Sequence, residues 1–222
     1  MVEIYGLELA VLPTERELVR GLRPTLYEAW RAKHERVCEE HAARGSLAGL
    51  VLLEQSLPNA VLCYDESGRP YAEGADADFS ITHTADYTFL ALCRGKDGVT
   101  VRVGIDAENL SRVSRLRLSQ MAERWFSTAE QARFSSDPTA ETFLRIWTRK
   151  EALVKWTGQG LRGLRDADTA CASEKYGVRF DEYWIGDSCI AVCLSKGVEA
   201  PAEIHMRSRG ELLAMGLTLA ED

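Results

Sequence analysis

Apolar and polar residues alternate from Val2 onward, and this predicts a first strand running to about Leu12. The period then lengthens, and the spacing from Thr25 to Ser56 predicts a long helix, broken or kinked near Gly45 and Gly49. Strand patterns follow at Ala60–Tyr64 and Phe79–Thr84. Two more, Tyr87–Arg94 and Val99–Glu108, are expected to form a hairpin through Gly95-Lys96-Asp97-Gly98. Past Asn109 the period is helical again, over Ser114–Trp125, Thr128–Ser135 and Thr139–Thr157. Strands return at Ala170–Ser173, Gly177–Tyr183 and Cys189–Leu194. The order predicts an α+β protein of two similar subdomains in one chain, residues 1–100 and 101–222. Each is expected to be a small, mostly antiparallel sheet packed with helices. A site is expected in the crevice between them.

Composition narrows the function classes. A net charge of −7 excludes a general nucleic-acid binder, whose phosphate contacts need a basic excess. Apolar runs such as Leu47–Leu53 are too short to span a bilayer, so no membrane partner is expected. The start, Met1-Val2-Glu3-Ile4-Tyr5, lacks a basic stretch leading into an apolar one, and no signal peptide is expected. The six cysteines include no C-x-x-C pair, and the four histidines lie far from them. Buried thiols in a reducing cytoplasm are the expectation.

Three segments carry candidate chemistry. Val101-Arg102-Val103-Gly104-Ile105-Asp106-Ala107-Glu108 reads as an apolar strand ending in two carboxylates at i and i+2, on one face. Carboxylates held together must share a proton or a cation, and magnesium suits such a pair. Read alone, a D-x-E strand end is most often simply solvated. In Trp147-Thr148-Arg149-Lys150-Glu151-Ala152-Leu153-Val154-Lys155, residues Trp147, Glu151 and Lys155 share a helix face. The Glu151–Lys155 spacing also fits an ordinary surface ion pair. In Phe79-Ser80-Ile81-Thr82-His83-Thr84, the hydroxyls of Ser80, Thr82 and Thr84 line one strand face and His83 the other. A histidine there is a structural residue or a donor to an anion.

Taken in order, these segments resemble the 4′-phosphopantetheinyl transferase superfamily, whose pattern runs G-K-P, F-N-x-S-H-S, G-I-D-x-E, R-F-F-S-x-x-E and W-S-x-K-E-A-x-x-K. The chain has Gly68-Arg69-Pro70, Phe79–Thr84, Gly104–Glu108, Arg124-Trp125-Phe126-Ser127-Thr128-Ala129-Glu130 and Trp147–Lys155 at similar spacings. Ile4-Tyr5-Gly6 and Arg44-Gly45-Ser46-Leu47-Ala48-Gly49 resemble the N-terminal half of the larger, surfactin-synthetase-activating class. The resemblance implies transfer of the phosphopantetheine arm of coenzyme A to a serine of an apo acyl or peptidyl carrier protein, releasing 3′,5′-ADP. It also implies that Asp106, Glu108 and Glu151 hold Mg2+, with Glu151 as base or as ligand only. Lys155 is expected on a phosphate oxygen, with Lys150 as a second candidate. Arg44, Arg69, Thr82 and His83 are expected around the adenosine 3′-phosphate. Four departures stand out: Arg69 replaces a lysine, Ser80 an asparagine and Thr82 a serine, and the small Ala107, expected to face away from the metal, fills the middle of the acidic motif.

A basic run, Arg112, Arg115, Arg117 and Arg124, is the expected docking surface for an acidic carrier. Two subdomains in one chain imply a monomer. Competing readings are an enzyme restricted to fatty-acid carriers and a binding module without turnover. A third, an unrelated magnesium nucleotidyl enzyme, would want a glycine-rich phosphate loop, which the sequence lacks.

Overall fold

The computed structural model describes residues 1–11, 22–34, 40–95, 101–113 and 117–214. In chain order the strands and helices are β1 (Val2–Glu8), α1 (Pro24–His34), α2 (Glu40–Ser56), β2 (Val61–Tyr64), β3 (Pro70–Glu73), β4 (Ala77–His83), β5 (Tyr87–Arg94) and β6 (Val103–Asn109). Next come α3 (Leu110–Val113), α4 (Leu118–Trp125), α5 (Thr128–Ser136), α6 (Ala140–Thr157), α7 (Ala172–Lys175), β7 (Val178–Ile185), β8 (Ser188–Ser195), β9 (His205–Met206) and α8 (Arg209–Ala214). Short 3-10 turns cover Leu9–Val11 and Gly160–Leu164. The α+β class is as expected. One sheet has the order β4-β5-β1-β9, a second β6-β8-β7, and β2-β3 form a separate hairpin. All pairings are antiparallel except β1 with β9.

Side-chain alternation along the strands sorts the core into layers. Val2, Ile4, Phe89 and Ala91 of the first sheet pack on Val103, Ile105, Ala107, Ile190 and Val192 of the second. The first sheet's other face, with Phe79, Leu90 and Leu92, packs on Leu26 and Trp30 of α1 and Leu47, Leu50 and Val51 of α2. The second sheet's other face, with Ala191 and Cys193, packs on Ala152 and Leu153 of α6. The stack is therefore helices, sheet, sheet, helix.

Several predicted elements differ. The helix over Thr25–Ser56 is two helices, α1 and α2, and neither Gly45 nor Gly49 breaks α2. Those glycines face β4. A Cβ at Gly45 would lie 2.7 Å from the His83 ring, so their smallness serves close packing. The predicted hairpin of Tyr87–Arg94 with Val99–Glu108 does not form. β5 pairs with β1 and β4, whereas β6 pairs with β8. Most of the intended turn, residues 96–98, lies outside the described residues. The expected strand at Ala170–Ser173 is a turn leading into helix α7, because its carbonyls close local i to i+3 and i+4 bonds, as Cys171 O does with Glu174 N and Lys175 N. The Ser114–Trp125 helix is represented by α4, with residues 114–116 outside the described set.

The two sheets meet at their edge strands, β4 and β6, through side chains in place of a backbone ladder. Asp78 Oδ2 accepts from Val103 N at 2.8 Å and Ser80 Oγ accepts from Ile105 N at 3.2 Å. Arg69 Nη2 donates to Val103 O at 3.3 Å, and Lys155 Nζ to Ile105 O at 3.0 Å and Ile81 O at 3.4 Å. Thus all four backbone polar groups of Val103 and Ile105 find side-chain partners.

Because Val103, Ile105 and Ala107 face the other sheet, Gly104, Asp106 and Glu108 face α6. The helix crosses so closely that a Cβ on Gly104 would lie 2.1 Å from Ala152 O and 2.7 Å from Trp156 N. Both contacts are backbone atoms, which cannot swing aside. Gly104→Ala is expected to cost about 1–3 kcal/mol or more, read as a lower urea midpoint. It should also push α6 off β6 in the folded fraction. A stability within a few tenths of a kcal/mol of wild type would contradict this close approach.

Candidate active site

Helix α6 begins at an N-cap, Thr139, whose hydroxyl accepts from Thr142 N, and ends at Gly158 in the left-handed conformation at φ 75°. Between these caps it presents Glu151 and Lys155 to the acidic face of β6. Lys155 Nζ donates to Asp106 Oδ1 at 2.8 Å, while Thr82 Oγ1 donates to the same oxygen at 3.2 Å. The other oxygen, Asp106 Oδ2, is buried and without a hydrogen-bond partner. Glu108 pairs at its outer end with Arg112, Nη1 to Oε2 at 3.2 Å.

The electrostatics follow from this crowding. Burial pushes the Glu151 carboxyl up to about 7, and the charges of Asp106 and Glu108 add to the rise while Lys155 opposes it. Burial likewise raises Glu108, with Asp106 contributing and Arg112 opposing. The carboxylates stand close enough to perturb one another without meeting at one point. Among the described residues no three His, Cys, Asp or Glu side chains converge on a common ligand position. Yet the donor set is all carboxylate oxygen, and one oxygen is buried and unpartnered. A hard divalent cation such as Mg2+ fits those donors.

Two adjoining cavities lie nearby, the first reaching this group through Lys155. One, of about 190 Å³, is lined by Gly68, Arg69, Phe79, Ser80, Lys155 and Gly158 among others. The second, of about 220 Å³, shares Pro70, Phe79 and Ile81 with it and is lined also by Trp30, Tyr64 and His83.

The sequence candidates therefore separate into groups. Asp106, Glu108, Glu151, Lys155 and Thr82 come together, and Ala107 turns away into the sheet–sheet core as expected. Arg69 reaches the first cavity and His83 the second. Arg44 is half-buried, with Nη2 donating to Leu9 O at 2.8 Å, and lines neither cavity. Lys150 is a correction: it is fully buried and points to the opposite side of α6, where Nζ meets Glu130 Oε2 at 2.9 Å and the Ala167 carbonyl. It cannot reach a phosphate in either cavity. Arg115 lies outside the described residues, and Arg112 and Arg117 are exposed.

Sequence reasoning passed over two residues. Asp78 sits in an apolar-looking strand, 8% exposed, and binds Arg69 Nη2 at 2.6 Å. Glu130 closes a capping box with Ser127 and also accepts from Thr169 N and Oγ1. The spacing Ser127-Thr128-Ala129-Glu130 carries the capping-box signal; nothing local marks Asp78. The thiols are free in Cys63, Cys93, Cys171, Cys189 and Cys193, three of them buried, and burial pushes Cys189 up to about 11.

Comparison with known proteins agrees with the motifs. Residues 102–194 match the family model described as the 4′-phosphopantetheinyl transferase superfamily, so the resemblance drawn from the sequence is borne out. The chain is 36% identical over 117 residues to the 4′-phosphopantetheinyl transferase AcpT of Salmonella typhimurium, covering 50% of this chain and 57% of that protein. It is 27% identical over 187 residues to the 4′-phosphopantetheinyl transferase psf-1 of Bacillus pumilus, covering 78% of this chain and 76% of the relative. Over 114 residues it is 32% identical to HetI of Nostoc, 48% of this chain and 45% of the relative. The chain thus spans just over half the length of the AcpT relatives that it matches. Among the described residues no helix is long and apolar enough to cross a membrane.

Two expectations follow. Lys150→Met leaves Glu130 buried without its cation and should lower stability by about 3 kcal/mol or more, measured by urea unfolding. With coenzyme A as a probe, whatever affinity the wild type shows should be shared by the folded fraction, because Lys150 does not face the cavities. A selective loss of binding would return Lys150 to the site. The second concerns pH. A carboxylate whose folded pKa lies above its unfolded value holds its proton more tightly when folded, so its contribution to stability declines as pH rises from about 4.5 toward 7. In EDTA, Glu151→Gln should therefore gain thermal stability over wild type at pH 8 but not at pH 5. An equal difference at both values would show that Glu151 is not perturbed.

Proposed function

We propose that this protein is a 4′-phosphopantetheinyl transferase that moves the phosphopantetheine arm of coenzyme A onto a serine of an apo acyl or peptidyl carrier protein. The observation that carries this reading is that Asp106, Glu108 and Glu151 lie close enough to perturb one another, beside Lys155, which pairs with Asp106 and lines the first cavity. The motif order and the match of residues 102–194 give it direction. In this reading Asp106, Glu108 and Glu151 hold Mg2+, which when bound neutralises the pyrophosphate of coenzyme A. Glu151 serves as the base that takes the proton of the carrier serine, or as a ligand only. The serine oxygen bonds the phosphorus that carries pantetheine, the bond from that phosphorus to the bridging oxygen breaks, and 3′,5′-ADP leaves. Lys155 faces the departing phosphate, and Arg69 and His83 face the adenosine 3′-phosphate. Thr82 takes part through Asp106, and Arg44 through the α2 turn that seats His83.

The exposed arginines Arg112 and Arg117, with Arg115 in the same run, form the acidic carrier's docking surface. The reading takes the chain as two subdomains, 1–100 and 101–222, acting as a cytoplasmic monomer without nucleic acid or membrane.

The test is direct. Incubation with coenzyme A, Mg2+ and a panel of apo carriers should add the mass of one phosphopantetheine to at least one carrier. Asp106→Ala should abolish transfer at unchanged fold, by circular dichroism, and EDTA should do so reversibly. Transfer that survives both treatments would remove the metal assignment; no modification of any carrier by the wild type would remove the function.

A further inference from the structure

We propose that Asp78 is a positioning residue of the nucleotide site, which aims the Arg69 guanidinium into the cavity beside Lys155. The inference rests on the reading that this cavity receives the phosphates of a nucleotide. Asp78 and Arg69 are both nearly buried, at 9% and 13% side-chain exposure, and their contact is 2.6 Å. A buried carboxylate needs a cation or a proton, and here the cation is the residue that lines the cavity. The same Asp78 oxygen also accepts from Val103 N at 2.8 Å, tying the pair to the strand that carries Asp106.

The fork geometry explains why an arginine stands where the resemblance leads one to expect lysine. Arg69 Nε donates to Lys155 O at 3.0 Å, and Nη2 donates to Asp78 and to Val103 O at 3.3 Å. These acceptors lie on α6, β4 and β6. A planar guanidinium spans three such directions at once, whereas an ammonium is a compact point. With Nε and Nη2 so used, Nη1 makes no hydrogen bond among the described residues, so an arriving phosphate oxygen meets a donor whose orientation is already set. The cost of ordering a long side chain on binding is then largely removed. Asp78 touches no ligand in this scheme and acts only through Arg69.

Calorimetric binding of 3′,5′-ADP and of 5′-AMP separates positioning from charge. Wild type should prefer 3′,5′-ADP. Deleting a negative charge by Asp78→Asn would, by charge alone, strengthen binding of the more highly charged ligand and widen that preference. Loss of positioning instead narrows it, by about tenfold. In an Arg69→Gln background the Asp78→Asn change should alter the preference by less than about twofold, since its intermediary is gone. Arg69→Lys, which keeps the charge without the fork, should narrow the preference as well, and this serves if Asp78→Asn does not fold. A preference that is unchanged or wider in Asp78→Asn, an effect that persists in the Arg69→Gln background, or full preference in Arg69→Lys would overturn the inference while leaving the function intact. A wild-type protein that binds neither nucleotide would overturn the nucleotide reading and the inference with it.

Discussion

The architecture depends on how the edge of β6 is satisfied. A sheet edge exposes unpaired amides and carbonyls, and two edges brought together would ordinarily zip into one continuous ladder about 4.8 Å apart. Here Asp78 and Ser80 of β4 accept from the β6 amides, while Arg69 and Lys155 donate to its carbonyls. These side-chain bridges stand where ladder bonds would otherwise run, and Arg69, Ser80 and Lys155, which make three of them, also line the first cavity. Because the bridges need particular residues at alternate positions, they also fix the register of one sheet against the other. The contacts advance together along both strands, from Asp78 with Val103 to Thr82 with Asp106.

The same bridges set the charge of the site. Lys155 directs its donors to Ile81 O, Ile105 O and Asp106 Oδ1, so much of its hydrogen-bonding capacity holds the fold. Of the groups gathered there, Asp106, Glu108 and Glu151 are acidic and only Lys155 and Arg112 are basic. One carboxyl is therefore uncompensated, and the imbalance falls on Glu151, which burial first, and then the charges of Asp106 and Glu108, push up to about 7. The site relieves it with a proton or with a cation. A hard divalent cation suits such a demand, because carboxylate oxygens are the donors it takes.

Much of this was legible from local pattern. The alternation in Val103–Glu108 placed Asp106 and Glu108 on one face and Ala107 on the other, and β6 has that arrangement. Helical spacing correctly put Glu151 and Lys155 together on α6. What local pattern could not supply were contacts between residues far apart in the chain. Asp78 meets Val103, and Lys150 meets Glu130, only after the layers assemble. Lys150 was misread because a lysine beside a catalytic-looking glutamate invites a phosphate, and helical geometry alone does not say which side of α6 is buried. Gly45 and Gly49 were misread for a related reason. Glycine in a helical run reads as a weak point unless the neighbour it must admit, here His83 and Ile81 of β4, is known.

Two contacts fix α6 as a rigid body, and between them they explain why the Lys150-Glu151 dipeptide is useful. Successive residues on a helix point about 100° apart. If Lys150 is held on the α5 side by Glu130 and the Ala167 carbonyl, Glu151 is turned toward β6, and Lys155, one turn on, follows it. A buried ion pair contributes little net stability against an apolar substitute, but its directionality specifies one rotation of the helix. Gly104 sets the remaining coordinate, the distance, because only a residue without a Cβ lets Ala152 O approach β6 so closely. Rotation from Lys150 and separation from Gly104 then bring the Glu151 carboxyl near enough to Asp106 for their charges to act on each other, so two residues outside the acidic face determine how it is arranged.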